Sequence, residues 1–154
     1  MAELILSKSL ADEAETAVLA ETIAPLLRQG DTLLLSGDIG AGKSAFARAL
    51  IRARLGRMED VPSPTFTLVQ TYDDPNGDIW HCDLYRLSHP EEALELGLDE
   101  AFESAICLIE WPDRLGDAAP ETALDLAFTA GVSTHEIQIS GPRVWATRLR
   151  GLHV

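Results

Sequence analysis

Residues Gly37-Asp38-Ile39-Gly40-Ala41-Gly42-Lys43-Ser44 fit G-x-x-x-x-G-K-[S/T] at every fixed position. The setting makes the match restrictive. Residues 31–36, Asp-Thr-Leu-Leu-Leu-Ser, read as a short buried strand, and residues 43–55 keep the apolar spacing of a helix, so the glycine loop joins a strand to a helix N-terminus. Glycines let backbone N–H groups turn inward around a polyphosphate, and the helix start adds partial positive charge. On this reading Gly37, Asp38, Ile39, Gly40, Ala41 and Gly42 cradle phosphates. Lys43 reaches the β and γ phosphates, and Ser44 offers its hydroxyl to Mg²⁺.

Gly40-Ala41-Gly42-Lys43-Ser44-Ala45 also satisfies the dinucleotide fingerprint G-x-G-x-x-A, but that motif needs an acid at the end of a second parallel strand about 20 residues on. Glu59 and Asp60 fall in a loop instead, and the Lys-Ser pair decides for a nucleoside triphosphate. Readers of guanine carry an Asn-Lys-x-Asp or Thr-Lys-x-Asp segment, whereas the only lysines here are Lys8 and Lys43, so adenine is the better fit.

The remaining punctuation outlines an α/β chain. Ser9-Leu10-Ala11-Asp12 resembles a helix-start capping pattern, followed by Ala14, Ala17, Val18, Ile23 and Leu27 at helical spacing up to Gly30. Residues 65–72 and 78–85 read as two strands joined at the turn signal Asp74-Pro75-Asn76-Gly77. Residues 91–104 form one or two acidic, Leu-rich helices, residues 105–109 a buried strand ending at Glu110, residues 124–128 and 136–139 two more strands, and residues 143–149 a terminal helix. With 154 residues and no linker or repeat, this predicts a single domain over 1–154, a P-loop NTPase-type three-layer α/β fold around a mixed, mostly parallel sheet.

A P-loop site needs a carboxylate at the end of a neighbouring strand to hold Mg²⁺, directly or through water, and two compete. Ile106-Cys107-Leu108-Ile109-Glu110 is an apolar run ending in an acid; Ile79-Trp80-His81-Cys82-Asp83 is a less pure version of it. Period two puts Ile79, His81, Asp83 and Tyr85 on one strand face, so that His81 and Asp83 both look toward the phosphates. Val61-Pro62-Ser63-Pro64-Thr65 is held extended by its prolines, which makes Thr65 a candidate switch hydroxyl sensing the γ phosphate and Mg²⁺. Trp111, next to Glu110, is either a neighbour of the nucleotide or core.

Charge limits the partners. Twelve Lys+Arg against 25 Asp+Glu give a net charge of -13, which predicts repulsion from a phosphodiester backbone. Basic residues gather at Arg48, Arg52, Arg54 and Arg57 and again at Arg143, Arg148 and Arg150, while residues 91–125 hold eleven acids and one arginine, an asymmetry that points to a protein partner. Cys82 and Cys107, within apolar stretches and without ligand spacing, read as reduced core residues. No signal peptide or membrane-spanning run is recognisable, so a cytoplasmic location is expected.

Four ordered motifs carry a resemblance. The loop at 37–44, Ser63-Pro64-Thr65-Phe66-Thr67-Leu68-Val69, His81-Cys82-Asp83-Leu84-Tyr85-Arg86-Leu87 and Ile109-Glu110-Trp111-Pro112 together resemble the TsaE (YjeE) family, small P-loop ATPases of bacterial tRNA threonylcarbamoyladenosine (t6A) biosynthesis. The resemblance runs from about Ser9 to Asp113. It implies ATP and Mg²⁺ as cofactors and a TsaB and TsaD heterodimer as partner, reset between turnovers by ATP binding and slow hydrolysis, with tRNA met only through that complex. It further implies Ser44 and Glu110 as Mg²⁺ ligands, favouring Glu110 over Asp83. Lys43, Asp83 and Thr65 then serve hydrolysis or communicate the nucleotide state, Trp111 sits beside the nucleotide, and Asp12 borders its adenosine end. Ser44 stands where the family usually has Thr, which keeps the hydroxyl, and the segment after Gly131 lacks the Arg common there. The alternative is a small-molecule kinase using the same loop, although no arginine-rich lid follows the core strands.

Overall fold

The computed structural model describes residues 3–38, 40–56, 60–62, 64 and 68–150. In chain order they form β1 (Glu3–Leu10), α1 (Glu13–Ile23), β2 (Thr32–Ser36), α2 (Lys43–Leu55), β3 (Val69–Asp74), β4 (Gly77–Asp83), α3 (Pro90–Glu95), α4 (Leu98–Ser104), β5 (Ile106–Glu110), β6 (Leu124–Ala130), β7 (His135–Gly141) and α5 (Arg143–Arg148). The strands make one seven-stranded sheet in the order β1-β7-β6-β2-β5-β4-β3. β2 lies between β5 and β6, parallel to both, and β4 is parallel to β5. The pairs β1·β7, β6·β7 and β3·β4 are antiparallel, so every strand except β3 and β7 points the same way: a mixed, mostly parallel sheet, as the sequence predicts.

Period-two alternation on the central strands feeds two cores. Leu33, Leu35, Ile106 and Leu108 join Leu19, Ile23, Phe46 and Leu50 of α1 and α2. Leu34, Cys107 and Ile109, one residue out of phase, join Ala93, Leu98 and Ala101 of α3 and α4 on the other face. A strand covered by helices on both sides has no polar face, which is why residues 33–35 are an unbroken apolar run. Each fully buried leucine or isoleucine contributes about 1.5–3 kcal/mol by leaving water.

The structure corrects the N-terminal reading. Ser9 and Leu10 do not start a helix; they end β1, which pairs with β7 from Glu3↔Gly141 to Leu10↔His135. A register shift between Leu4 and Leu6 breaks the alternation that would have advertised the strand. The helix cap lies three residues later, where Asp12 Oδ1 accepts from Glu15 N at 3.0 Å, and Glu15 Oε1 accepts from Ala11 N, just before the cap, at 3.0 Å. α1 also stops at Ile23 rather than reaching Leu27, because Pro25 turns Ala24–Leu26 into a 3₁₀ segment. The β3·β4 hairpin turns at Asp74-Pro75-Asn76-Gly77 as predicted, but β4 ends at Asp83, and residues 65–67 of the expected preceding strand lie outside the described residues. At the other end Trp145 Nε1 donates to Thr122 O at 2.7 Å and docks α5. Cys82 and Cys107 are buried free thiols. No helix among the described residues is long and apolar enough to cross a membrane.

Candidate functional site

The C-terminal ends of β2, β5 and β4 meet at one edge of the sheet: in the parallel registers Leu35 is paired with Glu110 and Glu110 with Asp83. Loops leaving neighbouring parallel strands to opposite faces open a crevice at such an edge. Beyond Ser36 the chain passes through Gly37 with φ of 133°, where a Cβ would lie 2.2 Å from the Phe128 carbonyl oxygen of β6. Only glycine lets the loop run against that strand. α2 then follows Gly42, its N-cap in the left-handed region, with no side-chain cap, so the first-turn N–H groups are left for an anion.

Lys43 opens α2 and is 5% exposed. Its Nζ donates to the Gly37 carbonyl and lies 3.7 Å from the centre of the Trp111 ring. Burial pushes this ammonium below its usual range, while Glu110, Asp83, Asp38 and Asp113 pull it back up. A partly desolvated cation is one whose charge is least screened for a polyphosphate.

Strand alternation sends Ile106, Leu108 and Glu110 of β5 to the α2 face, and there Ser44 Oγ meets both Glu110 oxygens, at 3.0 and 3.3 Å. Glu110 is 2% exposed, and a buried carboxylate costs several kcal/mol unless it is paired. Its partners are Ser44, the Lys43 charge and His81 Nε2 at 2.7 Å. Asp83, likewise buried, accepts from Tyr85 N through Oδ1 at 3.0 Å. Trp111 takes φ of 59°, which swings its ring across the end of β5 against Tyr85, 4.8 Å between ring centres.

These groups line a cleft of about 740 Å³, a size suited to a nucleotide. Asp12, Gly40, Gly42, Lys43, Ser44, Asp83, Glu110 and Trp111, all singled out in the sequence, are on its wall. Asp12 reaches it from the start of α1, where its carboxylate is already engaged as the helix cap. Gly37, Asp38 and Ala41 shape the loop behind the wall; Asp38 O accepts from Ala41 N at 3.1 Å. Ile39 and Thr65 lie outside the described residues. His81, expected to face the phosphates beside Asp83, sits instead behind Glu110, away from the cleft lining. Arg48, Tyr85, Arg86 and the β6–β7 turn with His135 complete the wall and were not singled out as site residues. Tyr85 and Arg86 belong to the His81–Leu87 motif; the turn carries no motif, only its place in the fold.

Two arginines of the basic cluster at residues 48–57 are engaged within the fold. Arg54 is internal, its Nε 2.6 Å from Asp74 and its Nη1 donating to the carbonyls of Ala24 and Leu27, and Arg48 Nε donates to Val61 O. Arg57 lies outside the described residues.

Among the described residues no three His, Cys, Asp or Glu side chains converge on a metal position. What the cleft offers is a hydroxyl and a carboxylate in contact, hard oxygen donors too few to enclose a cation. That set suits Mg²⁺, which keeps waters and takes phosphate oxygens to complete its shell, and does not suit zinc. The carboxylates of Asp83 and Glu110 would also repel a polyphosphate unless a divalent cation came between.

The sequence model of the family described as "Threonylcarbamoyl adenosine biosynthesis protein TsaE" matches residues 10–137. The chain is 42% identical over 117 residues to the tRNA threonylcarbamoyladenosine biosynthesis protein TsaE of Rickettsia bellii, an alignment spanning 76% of this chain and 81% of that protein. It is 37% identical over 125 residues to the protein of the same name from Bacillus subtilis, spanning 80% and 77%. The crystal structure of YdiB from Bacillus subtilis matches the fold with a TM-score of 0.80 at 29% identity, covering 99% of this chain and 95% of that one.

Proposed function

The chain belongs to the TsaE family of tRNA threonylcarbamoyladenosine biosynthesis proteins, and from that premise we propose that it is a single-domain, Mg²⁺-dependent ATPase that resets a TsaB–TsaD heterodimer between rounds of t6A formation. The observation that carries the reading is the contact of Ser44 with Glu110 at the mouth of an uncapped helix, next to a desolvated lysine.

The loop amides and the α2 N-terminus bind the phosphate tail. Lys43 leaves the Gly37 carbonyl and the Trp111 face for the β and γ oxygens, exchanging a neutral acceptor and a ring face for oxygens that carry full negative charge. Ser44 and Glu110 would hold the metal, which would supply positive charge against the phosphoryl oxygens. Asp83, at the register position next to Glu110, orients the attacking water, and Thr65 reports the state of the γ phosphate. Asp12 and the start of α1 border the adenosine end. On this reading the isolated chain is a weak ATPase, and full turnover awaits the partner. The net charge of -13 supports leaving the tRNA to that partner.

Titration with a fluorescent ATP analogue, alongside phosphate release, tests the site. Lys43→Ala should abolish nucleotide binding, whereas Glu110→Ala should bind nucleotide and lose Mg²⁺-dependent hydrolysis. Full turnover by Lys43→Ala would overturn the assignment. The partner role requires ATP-dependent association with TsaB–TsaD and support of repeated t6A formation, with tRNA retained only when TsaB–TsaD is present. Rapid phosphoryl transfer to a small acceptor, with little phosphate released to water, would favour a kinase instead.

A further inference from the structure

His81 has no place in the mechanism above, yet its surroundings are unusual for a core residue. It is 1% exposed, on the same face of β4 as Ile79 and Asp83, and among the described residues its side chain makes one hydrogen bond, to Glu110 Oε2 at 2.7 Å. Its Nδ1 is buried without a partner among the described residues. The tautomer follows by elimination. A proton on Nδ1 would leave a buried N–H orphaned and set a nitrogen lone pair against a carboxylate oxygen at 2.7 Å. A proton on Nε2 leaves only an acceptor lone pair unsatisfied, so Nε2–H donates to Glu110. A buried imidazole whose one directed contact goes to a carboxylate is oriented by the carboxylate and, reciprocally, orients it.

Glu110 has three side-chain torsions and a cation, Lys43, among its neighbours. Ser44 contacts both of its oxygens, at 3.0 and 3.3 Å, from the cleft side; His81 takes Oε2 from behind. Without the rear contact the carboxylate is free to swing toward the ammonium. Carboxylates that bind metals are themselves hydrogen-bonded from behind, and losing that support typically costs about 10–100-fold in metal affinity.

We propose that His81 is a positioning residue for the metal site: its Nε2–H, 2.7 Å from Glu110 Oε2, holds the carboxylate against Ser44, so that the divalent position is formed before nucleotide arrives. The proposal rests on Glu110 being a metal ligand, as read above.

Two kinds of substitution separate this role from mere space filling. His81→Leu keeps apolar volume and removes the donor; His81→Gln keeps an N–H at the end of a side chain of similar reach. Mn²⁺ affinity, measured by electron paramagnetic resonance on the full chain with the non-hydrolysable analogue AMP-PNP, should weaken about 10–100-fold in His81→Leu and recover most of that loss in His81→Gln. Metal-free nucleotide affinity should change little in either. His81→Met is a second donor-free variant, so the comparison stands should His81→Leu not fold. Unchanged Mn²⁺ affinity in the donor-free variants, or an equal loss in His81→Gln, would overturn the proposal. Glu110→Gln tells the two readings apart. If it keeps full Mn²⁺ affinity, Glu110 is not a ligand and the underlying assignment fails. If it weakens Mn²⁺ binding and the His81 variants do not, the positioning role alone fails. In the Glu110→Gln background, His81→Leu should add little, because both act through one carboxylate.

Discussion

Two glycines of the phosphate loop look alike in sequence and differ in what surrounds them. A Cβ on Gly37 would strike the Phe128 carbonyl at 2.2 Å with φ at 133°, whereas one on Gly40, at φ of 84°, would meet nothing within 4 Å. Gly37→Ala should therefore destabilise the fold by at least about 3 kcal/mol, the sum of left-handed strain and a backbone collision, while Gly40→Ala should cost only about 1–2 kcal/mol. Urea denaturation of the two variants checks the ordering; equal midpoints would contradict it. The motif told that glycines belong there but not why each does, since the answer for Gly37 lies on a strand 91 positions later. The same holds for the acids. Residue types alone left Glu110 and Asp83 as equals, because both end strands; the parallel register sets Glu110 opposite Leu35 and into contact with Ser44, one strand nearer to the loop than Asp83.

At the scale of elements, what was legible depended on whether the signal was local. β2, α2, β5 and the β3·β4 turn announce themselves through short apolar runs, glycines and a Pro-Asn-Gly turn. β1 does not, because a bulge disturbs its alternation and its stability comes from pairing with β7 at the far end of the chain. The Asp12 cap was within reach of the sequence, and the earlier Ser9 drew the reading away from it. That cap makes α1 separable in its energetics: Asp12→Ala should cost about 1 kcal/mol, and Asp12→Asn, which keeps an acceptor for Glu15 N, should recover most of it. Denaturant midpoints of the two variants, taken without nucleotide, test this. An equal loss in both would mean that charge near the helix start, and not the cap bond, is the stabilising interaction.

For the whole molecule, the two cores on either face of the sheet make the cysteines a probe of global opening. Burial pushes the Cys107 thiol up to about 12 and raises Cys82 well above 9.0, so the thiolate is scarce at ordinary pH. At pH 8 both thiols should resist a disulfide reagent on the time scale of minutes and both should react at once in denaturant. Fast labelling of the native chain would mean that the α3–α4 face opens far below the global unfolding free energy. The sign of the pH effect follows: with folded values above 9.0, the neutral thiols contribute stability that is complete below pH 9 and is lost as pH climbs toward 12. The chain's acidity was plain from composition. The engagement of Arg54 was not, because only the fold reveals that this arginine is spent on Asp74 and two carbonyls. One last arrangement spans these scales. The ammonium of Lys43 rests on the indole of Trp111, while Trp80 and Trp145 are absent from the cleft lining. On the proposed reading, drawing that cation away should alter the electronic surroundings of a single tryptophan, so that occupancy of the phosphate loop would be written into the protein's own ultraviolet emission without any attached dye.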